Sequence, residues 1–157
     1  MGEVSMIGLD LAKNYIQAHG VDAAGNVLFR KKLRRSQLMG FLAEQPPCIV
    51  AMETCAGAHH VGREAKKLGH TPKLVPAHYV KPFAKRGKSD RIDAEAVADA
   101  ASRPNMRFVA VKSAEQQASA LVFRTRDLLV RQRTQTINAV RGHLAEFGLV
   151  APKGRAH

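Results

Sequence analysis

Val4-Ser5-Met6-Ile7-Gly8-Leu9-Asp10-Leu11-Ala12 is the stretch on which the fold turns. Ile7, Leu9 and Leu11 alternate with small or polar neighbours, which is the period-two pattern of a β-strand. A carboxylate, Asp10, sits inside that strand. Working outward, Tyr15 to Val21 reads as a second strand. Asp22-Ala23-Ala24-Gly25-Asn26 reads as a turn whose glycine can take positive φ. Val27 to Leu33 reads as a third strand. Short connections make these three antiparallel neighbours.

The pattern then changes. Ser36 is a candidate N-cap for a short helix using Leu38, Met39, Phe41 and Leu42, ended by Pro46-Pro47. Cys48 to Met52 is a short apolar run that reads as a buried strand ending at Glu53. A helix from Gly57 to Leu68 follows, with Gly69 suited to its C′ position. Thr71 to Val75 is another strand, closed by Pro76. A three-strand meander followed by strand–helix–strand predicts an α/β fold with a mixed five-stranded sheet and right-handed crossovers. Asp90 to Ser102 reads as an alanine-rich helix, and Phe108 to Val111 as a small extra strand. Ser113 and Gln116 form a capping-box pattern, opening a helix of about 35 residues, longer than ordinary globular helices.

The chain has 25 Lys and Arg against 13 acidic residues, a formal charge of +12. That excess argues for a polyanionic partner, nucleic acid or an acidic membrane surface. No apolar run approaches the roughly 18 residues that span a bilayer. Met1 to Asp10 lacks a basic segment followed by an apolar one, so no secretory signal is expected. Cys48 and Cys55 make neither a disulfide framework nor a zinc spacing, and the expected setting is reducing and cytoplasmic. Residues 103–157 carry ten basic and three acidic side chains, so +7 of the charge lies there.

Four carboxylates stand out. Asp10 and Glu53 lie in apolar strands, where an unpaired charge is costly. Asp90 and Asp93 are three apart at the start of a helix and share a face. In a meander-then-crossover sheet the strands carrying Asp10 and Glu53 are neighbours. Clustered carboxylates in a basic protein repel unless divalent cations neutralise them. Two Mg²⁺ or Mn²⁺ about 3.5–4 Å apart suit such donors and serve phosphoryl transfer. The bland alternatives are a strand aspartate paired with Lys13 and a helix-capping Asp90. Glu95 and Asp99 read as solvated face residues, and His59 and His60 as structural rather than metal ligands. Cys48 and Cys55 read as small, buried or half-buried fillers. Arg30 to Arg35 reads equally as a nucleic-acid-contacting edge or as a charged edge that blocks aggregation.

Ile7-Gly8-Leu9-Asp10-Leu11-Ala12-Lys13, Met52-Glu53-Thr54 and Lys88-Ser89-Asp90-Arg91-Ile92-Asp93-Ala94-Glu95-Ala96 together resemble the DEDD transposases of bacterial insertion sequences, the family numbered one-ten. The resemblance runs from Ile7 to Gly148. It implies an N-terminal domain with an RNase H-like, RuvC-type fold, and Asp10, Glu53, Asp90 and Asp93 as its catalytic and metal-holding residues. It implies metal-dependent cleavage and strand transfer of DNA, with a guide or structured RNA as a further partner in some members. It also implies a second, C-terminal transposase domain, for which this chain has no room.

The resulting expectation is an RNase H-like DEDD catalytic domain over 1–112, a long basic helix over 113–150 for oligomerisation and nucleic-acid contact, and a flexible tail over 151–157. Lys81, Lys85, Arg86, Lys88 and Arg91 are expected on phosphates beside the cut, and Arg124, Arg131 and Arg133 on nucleic acid along the helix. A homodimer or higher even oligomer is expected through that helix, whose Leu121, Leu128, Val140, Leu144 and Phe147 need a partner. The alternatives are a non-catalytic nucleic-acid-binding and oligomerisation fragment and a Holliday-junction-resolvase-like nuclease. An actin-like nucleotide site is disfavoured, because Asp10-Leu11-Ala12 lacks the glycine that would let the backbone cradle phosphate.

Overall fold

The alternation through Ile7, Leu9 and Leu11 is realised as β1 (Met6–Leu11), the centre of a five-stranded sheet. In this computed structural model, residues 2–83 and 90–152 are described, without the side chains of 90–92. The expected phosphate contacts Lys85, Arg86 and Lys88 and the tail residues 153–157 therefore lie outside the described residues. So do the side chains of Asp90 and Arg91.

β2 (Tyr15–Val21) and β3 (Val27–Arg34) follow as an antiparallel meander, and β4 (Ile49–Glu53) and β5 (Thr71–Val75) add in parallel on the other side of β1. The order is β3-β2-β1-β4-β5. α1 (Leu38–Ala43), α2 (Ala58–Lys67), α3 (Ala77–Val80) and α4 (Asp90–Ala101) complete the first compact unit, Met1–Ser113. The second unit, Ala114–His157, is built on α5 (Ala114–Glu146), one uninterrupted helix of 33 residues.

The sheet has two apolar faces. Ile7, Leu9, Val50, Met52 and Leu74 join Leu38, Leu42 and Val61 on one. Met6, Ala51 and Val75 join Ala96, Val97, Ala98 and Ala101 of α4 on the other. Alternation in β1 therefore serves two layers, with Met6, Gly8 and Asp10 on the α4 side. Gly8 admits the helix: a Cβ there would lie 2.3 Å from the Ala94 carbonyl and 2.9 Å from the Ala98 Cβ. A glycine inside a strand often marks such a close approach.

Buried His70 ties three elements together. The Cys48 N–H donates to its Nδ1 (3.2 Å), so the ring proton is on Nε2, which faces the Leu42 carbonyl at 2.9 Å. Two local expectations are corrected. Ser36 does not cap a helix; it lies inside a 3₁₀ turn, Arg35–Gln37, and the longer Gln37 side chain reaches back to accept the Arg34 N–H at 2.9 Å. Phe108 to Val111 is not a strand but a single bridge, Val109 to Leu74. Side chains hold the backbone just beyond it instead: Arg63 donates to the Lys112 carbonyl (2.9 Å), and the Lys112 N–H donates to His59 Nδ1 (3.1 Å). Among the described residues no helix is long and apolar enough to cross a membrane.

Candidate active site

Asp10 and Glu53 stand one step beyond Leu9 and Met52, which are paired across the parallel β1–β4 ladder. Leu9 and Met52 point into the α1–α2 layer, so the two carboxylates point to the opposite face, the one α4 covers. Both are half-buried. They lie at the carboxyl ends of their strands, where the chain leaves the sheet and donors can converge on a ligand.

The electrostatics agree with that placement. The Cys55 thiol is pushed up first by burial, then by the negative charges of Glu53 and Asp10, while Arg35 pulls it back. Both carboxylates thus act on one sulfur atom, which is exposed rather than the half-buried filler expected. Lys13 is exposed, and no ion pair engages it among the described residues.

Asp90 and Asp93 occupy the first turn of α4, one turn before the Ala94–Ala98 contact with Gly8. Asp93 is exposed. Among the described residues no group of three His, Cys, Asp or Glu side chains is close enough to hold a metal ion. Asp10 and Glu53 are the pair brought together. Glu95 is not the solvated residue expected. It meets Arg30 of β3 at 3.2 Å, tying α4 to the far edge of the sheet. Lys31 lies over Phe29 and Phe41, and Lys32 over Tyr15. Within the edge strand, then, Arg30, Lys31 and Lys32 are held by the fold. Lys81 is exposed in the turn after α3, and Arg124, Arg131 and Arg133 are exposed on α5. Sequence reasoning passed over Gly8, although a glycine inside an apolar strand was the signal that could have found it.

The model of the DEDD transposases of IS110 type, described as "Transposase", matches residues 7–148, and this chain belongs to that family. A probable family 20 transposase of Pseudomonas aeruginosa is 53% identical over 154 residues, covering 98% of this chain and 46% of that protein. The transposase for insertion sequence element IS1328 of Yersinia enterocolitica is 48% identical over 156 residues, 99% of this chain and 47% of its own length. The transposase for IS1111A of Coxiella burnetii is 40% identical over 154 residues, 98% and 42% respectively. The chain spans less than half the length of these relatives. Among solved structures, T. thermophilus RuvC in complex with a Holliday junction substrate superimposes with a TM-score of 0.51 at 14% identity, covering 66% of this chain and 98% of RuvC. At that identity the likeness shows the fold: the sheet unit is a RuvC-type, RNase H-like α/β domain.

Proposed function

We propose that this chain is the RuvC-like part of an insertion-sequence transposase, binding DNA and supporting two-metal phosphodiester cleavage and strand transfer during transposition. The observation that carries the reading is the carboxylate pair, Asp10 and Glu53, side by side at the carboxyl ends of adjacent parallel strands. Two such carboxylates repel, and hard oxygen donors of this kind suit Mg²⁺ or Mn²⁺. Asp10 and Glu53 would hold the ions, and Asp90 and Asp93 would complete the shell from the first turn of α4. When bound, two such ions supply the Lewis acidity that activates a water or hydroxyl and stabilises a leaving oxygen. The chain's own cations serve the strand: Lys81, Lys85, Arg86, Lys88 and Arg91 would neutralise phosphates beside the cut, and Arg124, Arg131 and Arg133 would extend the contact along α5.

The helix supports a homodimer or a higher even oligomer. Phe123, Val130, Ile137 and Leu144 recur every seven residues, which makes one apolar stripe on a helix that buries none of its residues. The stripe steps over the wholly polar Arg131 to Thr136.

Melting in millimolar Mn²⁺ or Mg²⁺ tests the site. A divalent ion bound to the native state alone raises stability by about 2.7 kcal/mol at a hundred times its Kd. The wild-type chain should melt higher with metal. Asp10→Asn should not respond to metal. Indifference of the wild type to both ions would overturn the reading. A metal response without cleavage of branched DNA would favour the second reading, a non-catalytic nucleic-acid-binding and oligomerisation fragment.

A further inference from the structure

The turns after β1 and β4 leave a cleft of about 380 Å³, lined by Leu11, Ala12, Lys13, Arg35, Cys55 and Ala56. It lies at the same carboxyl end of the sheet as the carboxylate pair: Leu11 follows Asp10 and Cys55 is two residues past Glu53, although Leu11 packs on the α1–α2 side and the carboxylates face the other. Its lining nevertheless contains two cations and no carboxylate.

Arg35 is placed there by the fold. It follows the end of β3, and its N–H donates to the Asn14 carbonyl at 3.2 Å. Its guanidinium lies over Gly57, where a Cβ would come 3.1 Å from Nη2. Gly57 has φ 90°, so this position favours glycine for its conformation as well as for the room it leaves. Among the described residues no ion pair engages Arg35 or Lys13. The floor formed by Leu11, Ala12 and Ala56 is apolar and screens the cations less than open water would.

We propose that Lys13 and Arg35 form a phosphodiester-binding subsite, holding the nucleic-acid phosphate next to the one presented to Asp10 and Glu53. The physical need is plain: a polyanion approaching two carboxylates is repelled, and cations one phosphate away offset that repulsion and set the strand's register. Arg35 suits the role because a planar guanidinium can grip two phosphate oxygens at once, and Lys13 adds a point charge. Both are positioning residues. The subsite rests on the function proposed above and adds to it the path of the strand.

The test uses the whole chain, a labelled duplex oligonucleotide and iodoacetamide. Binding is titrated against salt for wild type, Lys13→Gln, Arg35→Gln, the double variant and Arg35→Lys. Losing one phosphate contact should make the log–log salt slope shallower by about one, and losing both by about two. Arg35→Lys should restore most of the slope. Exposed Cys55 reports occupancy of the cleft, because Cys48 is buried. The oligonucleotide should slow Cys55 alkylation in wild type and give little protection in the double variant. Inorganic phosphate at the same phosphate concentration should not protect; protection equal to the oligonucleotide's would make this a free-anion site and overturn the strand-positioning role. Should Arg35→Gln misfold, Lys13→Gln at its exposed turn still carries the test. Unchanged slopes and unchanged protection in variants of a chain that binds DNA would overturn the subsite alone. A wild-type chain that binds no oligonucleotide would overturn both the subsite and the function. A Mn²⁺ melting response that is kept in Lys13→Gln and lost in Asp10→Asn separates the subsite from the metal site.

Discussion

In the sheet unit Ile7, Leu9, Ile16, Val50, Met52 and Leu74 are wholly buried. On α5 no residue is buried, although Leu121, Val122, Phe123, Leu128, Leu129 and Val130 fall within one three-turn stretch, and Phe123 is 68% exposed. Both regions are rich in aliphatic side chains. They differ in where those side chains can go. A strand at the centre of a sheet is covered on two faces by its own chain. A helix of 33 residues, about 50 Å long, presents a stripe to whatever lies alongside it. The contrast teaches that apolar content alone does not mark a core, and that what matters is whether the chain returns to cover it.

Substitutions in the two regions probe that contrast. Leu9→Ala, at the centre of the sheet, should lower unfolding stability by about 2–5 kcal/mol, and denaturant melting reads it directly. Leu129→Ala on α5 should stay within about 0.5 kcal/mol in the unassociated chain. Equal losses at the two sites would break the comparison.

Gly8→Ala should cost about 1–3 kcal/mol, because the new methyl meets the Ala94 carbonyl and α4 must shift. The shift should also weaken the Mn²⁺ melting response, since Asp90 and Asp93 ride on that helix. A stable variant with full metal response would mean that α4 does not need its close seat on β1.

The double variant Val130→Asp with Ile137→Asp places charge in the seven-residue stripe. Burying each apolar side chain is worth roughly 1.5–3 kcal/mol, so light scattering should show loss of the proposed oligomer while the sheet unit melts as before. An oligomer that survives would move the interface off this stripe.

The smallest effect is at alkaline pH. Burial pushes the Cys48 thiol from an ordinary 9.0 up to about 11. The neutral, protonated thiol is the form favoured in the folded state. Its contribution is therefore complete below about 9 and is lost as pH rises through about 11. Cys48→Ala should show a flatter fall in stability across that window than wild type does. Parallel profiles would assign no alkaline sensitivity to the thiol.

The sheet order was legible because short connections force antiparallel neighbours and helix-bearing connections force parallel ones. The carboxylates Asp10 and Glu53 were legible because a charge in an apolar strand demands an explanation. Ser36 misled, since serine before an apolar run is a common cap, whereas here Gln37 closes the turn. Phe108 to Val111 misled because it is a short apolar run rich in β-formers, while its backbone is held by the single bridge and, at Lys112, by Arg63 and His59.

By itself, then, the order of residues determined the strands, their directions and the long last helix, because periodicity, breakers and connection length act over a few neighbouring residues, and its motifs pointed to the family. Only the tertiary structure decided that α4 rests on Gly8, that Glu95 reaches Arg30, that His70 joins Cys48 to Leu42, and that Lys13 and Arg35 line one cleft beside Asp10 and Glu53. Gly8 and Ala98 are 90 positions apart, Arg30 and Glu95 are 65, and Lys13 and Arg35 are 22. No local rule sets these meetings, because they follow from where whole layers come to rest once their apolar faces are buried.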